Sequence, residues 1–166
     1  MCIYKLKAKD AFERVFVCFI LCQYERRGRD GMFIAFYSMT GNVRRFIKNS
    51  KAGEHFGTYE IRAENKDEPV EEPFILVTST YGYGGVPAEV KSFLRANHPR
   101  MMAVASSGNR NWGAHYAMAG EHISNEYSVP LLMKFELHGT PGEREEFIEK
   151  AGAIHESIRR EEIQSH

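Results

Sequence analysis

From residue 33 onward, short apolar runs alternate with stretches in which apolar residues recur every three or four positions. Phe33–Tyr37 and Phe74–Thr78 are almost unbroken apolar runs, the pattern of strands buried on both faces. Met102–Ser106 and Leu131–Leu137 read the same way, and a weaker strand falls near Thr58–Ile61. The intervening segments have helical periodicity. A helix from about Asn42 to Asn49 carries Val43, Phe46 and Ile47 on one face, and Pro87 opens a second with Val90, Phe93 and Leu94 inward. Tyr116, Ala119, Ile123 and Tyr127 share helical spacing, and a last helix from near Pro141 turns Phe147, Ala151, Ile154 and Ile158 to the core. The polar stretch Arg62–Glu72 reads as a loop.

Strands separated by helices predict an α/β three-layer sandwich, a five-stranded parallel sheet covered on both faces. Right-handed crossovers leave few topologies, and the doubly wound strand order 2-1-3-4-5 is the natural one. Ligands of such sheets bind outside the carboxyl ends of the strands, near the point where the order reverses. Three unusual turns fall there, at 38–43, 79–86 and 107–113.

The first is Ser38-Met39-Thr40-Gly41-Asn42-Val43. Ser38 and Thr40 offer hydroxyls, Gly41 lets the backbone approach an anion, and Asn42 can cap the helix or donate its amide. The helix start adds unpaired N–H groups, so this turn suits a phosphate. It is not a Walker A loop, since it contains no lysine. The second turn, Ser79-Thr80-Tyr81-Gly82-Tyr83-Gly84-Gly85-Val86, has a glycine density that permits positive φ, close approach to a flat ligand and a peptide that can flip. The third, Ser107-Gly108-Asn109-Arg110-Asn111-Trp112-Gly113, supplies amide donors and an aromatic surface. Together they suit a planar heteroaromatic ring bearing a phosphate, namely flavin mononucleotide (FMN). Ordinary packing is an alternative role for each tyrosine and for Trp112, and Gly113 reads equally well as a plain turn residue.

Other chemistries of this fold class fail on composition. A phosphoacceptor domain needs aspartates where Tyr37-Ser38 and Thr78-Ser79-Thr80 stand, and a cysteine-dependent phosphatase needs a cysteine in its phosphate loop, but none follows Met32. Gly-x-Ser-x-Gly is absent, and neither Ser38 nor Ser79 has a histidine nearby in sequence. His115 and His122 stand seven apart on one helical segment, the other histidines are scattered, and no metal site is expected.

The chain has 166 residues, enough for one domain with a proper core. With 22 basic and 22 acidic side chains there is no whole-molecule case for nucleic acid, and no apolar run approaches a membrane span. The run Val15–Cys22 is followed by no small-residue cleavage site, so a cytoplasmic protein is expected. Residues 1–31 differ from the rest. They hold Cys2, Cys18 and Cys22, the only cysteines, and carry seven Lys/Arg against four Asp/Glu. The remainder holds 15 basic against 18 acidic residues, a net charge of −3. Met32 stands immediately before the first strand, and Glu25-Arg26-Arg27-Gly28 is what a purine-rich ribosome-binding site gives when translated. The expectation is an N-terminal extension at 1–31, a misplaced start or a disordered segment, followed by one domain at 32–166. The alternative is a genuine extension with a helix from Asp10 to Tyr24.

Tyr37–Val43, Thr80–Pro87 and above all Ser106-Ser107-Gly108-Asn109-Arg110-Asn111-Trp112-Gly113 closely resemble the NrdI proteins, flavodoxin-like partners of class Ib ribonucleotide reductase. Val129–Thr140 looks like the family's fifth strand, and the resemblance covers about residues 32 to 155. It implies a flavodoxin-like fold and FMN. It also implies a role in activating the small subunit of the reductase, in which reduced flavin reacts with oxygen and an oxidant reaches the dimanganese–tyrosyl radical site. Ser38–Val43 would then hold the phosphate. Ser79–Gly85 would line one side of the ring with the Gly82 peptide near the flavin N5, and Ser107–Trp112 the other side. No dinucleotide fingerprint is present, so a separate flavin reductase would supply electrons. Tyr83 and Arg110 are the expected anchors for the partner. The alternative function is that of a general flavodoxin electron carrier.

Overall fold

A computed structural model describes residues 31–164, so the expected extension at 1–31 lies, but for Gly31, outside the described residues. The strands are β1 (Phe33–Tyr37), β2 (Gly57–Glu60), β3 (Phe74–Ser79), β4 (Met101–Gly108) and β5 (Leu131–Glu136). The helices are α1 (Asn42–Asn49), α2 (Ala52–His55), α3 (Ala88–Asn97), α4 (Met118–Tyr127) and α5 (Pro141–Gln164). All five strands pair in parallel in the order β2-β1-β3-β4-β5.

Alternation along each strand divides the core in two, because successive side chains leave opposite faces of a sheet. Ile34 and Phe36 of β1, Ile75 and Val77 of β3, and Met133 and Phe135 of β5 face one way. They meet Val43, Phe46 and Ile47 of α1, Ala52 of α2, and Phe147, Ala151 and Ile158 of α5. Phe46 stacks on Phe135 at 3.8 Å between ring centres, with the edge of Phe147 at 5.2 Å. Ala35, Phe74, Leu76 and Val104 face the other way, against Val90, Phe93 and Leu94 of α3 and Ile123 of α4. Ile154, expected in the core, is only partly buried against it.

Several boundaries move from their sequence expectations for identifiable reasons. β4 continues through Ser107 and Gly108, because both pair with β5 and Ser107 also pairs with Ser79 of β3. α4 begins at Met118, not near Tyr116, because Ala117 precedes it at φ 50°. β5 stops at Glu136 because Leu137 turns to φ 51°. Asn42 does not cap α1. Gly41 holds the cap position at φ 85° with no side-chain capping bond, and Asn42 is the first helical residue. The short α2, entered through Lys51 at φ 56°, was not anticipated. The polar 62–72 segment is a loop as expected. The buried Asn97 side chain holds it, accepting from Val70 N at 2.8 Å and donating to Glu68 O at 2.9 Å.

Candidate cofactor site

The loops after β1, β3, β4 and β5 leave the same edge of the parallel sheet, and each is tied to the next. Met39 N lies 3.4 Å from Ser79 Oγ, and Thr80 N donates to Ser107 O at 3.1 Å. Leu137 N donates to Gly108 O at 2.9 Å, while Ser107 Oγ donates to Leu137 O at 2.6 Å. The three segments singled out from sequence are therefore neighbours in space. The fourth, at Leu137, was not foreseen, since leucine gives no local sign of a left-handed backbone.

The first loop gathers hydroxyl and amide groups at the start of α1. Ser38 Oγ accepts from Arg44 N at 3.1 Å, satisfying one of the N–H groups that a helix start leaves without an intrahelical partner. Asn42 Nδ2 donates to Thr40 Oγ1 at 3.2 Å, which leaves the exposed Thr40 hydroxyl its own proton to donate. Met39 is exposed at the rim, and Val43 is fully buried beneath α1.

The second loop is a small closed turn. Tyr81 N donates to Gly85 O at 2.8 Å and Gly85 N to Tyr81 O at 2.7 Å, leaving Gly82, Tyr83 and Gly84 at the tip. Gly82 sits at φ 51°, a left-handed conformation that glycine adopts freely, with open space around the position of a Cβ. Tyr81 and Tyr83 are 61% and 81% exposed. At the base of the turn Thr80 Oγ1 is buried without a hydrogen-bond partner. Such an orphan is costly in a finished fold and fits a site whose polar set a ligand completes.

The third segment divides between structure and surface. Gly108 backs directly onto Ala117, and a Cβ there would collide with the Ala117 backbone N, so this glycine has a packing reason of its own. Asn109 Oδ1 accepts from Asn111 N at 2.9 Å, and Trp112 N donates to Asn109 O at 3.0 Å, winding residues 110–115 into 3-10 turns kinked at Gly113. Trp112 is 47% exposed. The Tyr83 ring meets Trp112 and His115 edge-on at 5.8 and 5.7 Å, so the second and third loops face each other across aromatic surfaces. Arg110, expected from sequence as an exposed anchor, has a side chain 63% exposed and also makes contacts within the chain. It pairs with Glu136 at 3.2 Å and Glu143 at 3.7 Å, and lies over the Tyr116 ring.

Two tyrosines flank the region with raised pKa values. Burial pushes Tyr37 up, reinforced by a hydrogen bond to Glu89 and by its charge. Burial also pushes Tyr116 up, against the opposing charge of Arg110. Sequence reasoning missed Tyr116, Glu136 and Glu143. The available signal was Thr140-Pro141-Gly142-Glu143, the spacing of a helix capping box.

A doubly wound parallel sheet of this order, with a hydroxyl-rich turn and two aromatic-bearing loops at the switch point, is that of a flavodoxin-like protein. Solved structures agree on the fold. Oxidised flavodoxin 1 from Bacillus cereus is 19% identical with a TM-score of 0.51. A short-chain flavodoxin associated with a non-canonical PDU bacterial microcompartment is 16% identical with a TM-score of 0.57. Each match covers 76% of this chain and 97% of the other. The family model described as NrdI Flavodoxin like matches residues 34–149, and the chain belongs to that family. Family and fold together imply a flavin cofactor.

Proposed function

We propose that this protein binds FMN and helps assemble the dimanganese–tyrosyl radical cofactor of the class Ib ribonucleotide reductase small subunit, by delivering a reduced-oxygen oxidant. The family match over residues 34–149 is the observation that carries this reading. Bound FMN would supply electron transfer and, when reduced, reaction with oxygen. The protein's own residues would place it. Ser38, Met39, Thr40, Gly41, Asn42 and Val43 form the phosphate cradle, with the start of α1 adding favourable N–H dipoles. Ser79–Gly85 lines one side of the ring, with the Gly82 peptide near the flavin N5. Ser107–Trp112 lines the other. A separate flavin reductase supplies electrons.

A delivered oxidant requires a docked complex, because an oxidant released to solvent is lost. The exposed Tyr81, Tyr83 and Trp112 would offer such a partner an aromatic rim to close on. Tyrosine is enriched among residues that dominate binding energy, and Tyr83 is the most exposed large apolar residue of the described chain. A cytoplasmic setting goes with this partner. No helix among the described residues is long and apolar enough to cross a membrane.

Calorimetric titration of the FMN-loaded protein with the small subunit tests the proposal. Saturable binding is expected, and Tyr83→Ala should weaken it by about 2 kcal/mol, roughly thirtyfold in Kd. Absence of saturable binding would favour the general electron carrier.

A further inference from the structure

Residues 109–115 leave the sheet at Gly108 and lead back to Ala117, whose carbonyl accepts from Ser106 Oγ at 2.7 Å just before α4, and their described backbone hydrogen bonds are mostly local. Asn111 and Trp112 donate to Asn109, and Tyr116 donates to Gly113. These bonds shape the segment but do not fasten it to the body. Its described polar contacts with distant elements all run through Arg110. The Arg110 N–H donates to Glu136 Oε1 at 3.3 Å, Nε pairs with Glu136 Oε2 at 3.2 Å, and Nη2 pairs with Glu143 Oε1 at 3.7 Å. The guanidinium also lies 5.3 Å from the centre of the Tyr116 ring.

We propose that Arg110 is a positioning residue: it locks the third loop onto the end of β5 and the first turn of α5, and so fixes the wall that this loop presents to the flavin ring. The proposal rests on the flavin reading given above for its last step only.

Both acceptors are themselves held. Glu136 ends β5, and the next residue, Leu137, donates its N–H to Gly108 O. Glu143 closes a capping box at the start of α5. Its Oε2 accepts from Thr140 N at 2.7 Å, while its N–H donates to Thr140 Oγ1 at 3.2 Å. A carboxylate already fixed by its own helix loses little freedom when it takes a second donor. Tyr116 is held in turn between two cations, with Lys134 Nζ at 5.9 Å from its ring and Lys134 itself paired with Glu121. Arginine suits this junction and lysine does not, because one planar fork can serve two carboxylates while its face covers a ring. Each contact alone is an exposed ion pair of small worth. Together they tie the segment after β4 to β5 and α5 through a single residue.

Trp112 is the only tryptophan in the chain and sits two residues from Arg110, so its emission reports on this loop directly. In protein free of flavin, Arg110→Ala should shift Trp112 emission to the red and lower its steady-state anisotropy. Amide hydrogen exchange at residues 111–115 should accelerate by about tenfold, the loss of roughly 1.4 kcal/mol of local protection. Glu143→Gln should act in the same direction while sparing the helix start, since glutamine serves equally in a capping box. Arg110→Lys should fall between wild type and Arg110→Ala. Tyr116→Phe keeps the ring against the guanidinium and should loosen the segment less than Arg110→Ala. In the loaded protein, Arg110→Ala should weaken FMN and riboflavin alike, since the loop faces the ring and not the phosphate. Unchanged Trp112 anisotropy and unchanged exchange at 111–115 in Arg110→Ala would overturn the proposal. A looser Trp112 in Arg110→Ala, together with a wild-type protein that takes up no flavin, would uphold the latch and overturn the cofactor assignment instead.

Discussion

Thr40 carries the sharpest test of where a phosphate sits. Its Oγ1 accepts from Asn42 Nδ2, so its O–H remains available to a dianion. A charge-assisted hydrogen bond is worth roughly 1.5–3 kcal/mol, and valine keeps the branched shape while removing the donor. Thr40→Val should weaken FMN about 10- to 100-fold and leave riboflavin, which lacks the phosphate, almost unaffected in a fluorescence titration. Equal losses for both would place the phosphate elsewhere. At this scale the sequence is informative about which atoms are on offer and less so about what holds them. The hydroxyls of Ser38 and Thr40 are legible directly. That Gly41, not Asn42, takes the cap position depends on a left-handed φ that glycine reaches freely. That Gly108 packs against Ala117 is set by how residues 109–116 loop back, a contact with no local pattern. The ion pairs of Arg110 have no local signal in the sequence, because its carboxylate partners lie 26 and 33 positions away, at Glu136 and Glu143.

Among the elements, α1 and β2 are joined by a carboxylate shared between two arginines. Arg44 Nε donates to Glu60 Oε1 at 3.0 Å and Arg62 Nη2 to Glu60 Oε2 at 2.8 Å, and the Glu60 side chain is only 14% exposed. Burial pushes the Glu60 carboxyl up, but the two guanidiniums outweigh it and hold its pKa below the ordinary value. A folded-state pKa below the unfolded one gives stability that is complete above the unfolded value and is lost as pH falls through the folded one. Glu60→Gln should therefore lower unfolding free energy by about 1 kcal/mol at neutral pH. The difference from wild type should shrink at about pH 3, below the usual glutamate pKa. Urea unfolding at the two pH values measures it, and an equal difference at both would show that the ion pairs contribute nothing. Element existence was legible because the two periodicities are unmistakable here: unbroken apolar runs for β1 and β3, three- and four-residue spacing for α1 and α3. Ends were less so. β4 runs two residues past its expected end because neighbours on both sides continue the ladder, and β5 stops short where Leu137 adopts a conformation that its side chain disfavours.

For the molecule as a whole, handedness and compactness did much of the work. Five strands with helical crossovers admit few arrangements, and the observed order is the one expected. That order brings segments some forty and thirty residues apart to one edge, where Ser79, Thr80, Ser107 and Leu137 tie them together. Legible in advance was the convergence of three loops. Hidden was the aromatic contact of Tyr83 with Trp112 and His115, which depends on how far each loop projects. The central claim is that this domain delivers an oxidant to a docked partner and does not serve as a general carrier. The direct measurement is electron paramagnetic resonance of the manganese(II)-loaded class Ib small subunit after mixing with the FMN-loaded, reduced protein and oxygen. A tyrosyl radical coupled to the manganese pair should appear, should need this protein, and should not appear when an unrelated reduced flavodoxin takes its place. No radical, or the same yield from the unrelated flavodoxin, would contradict the account.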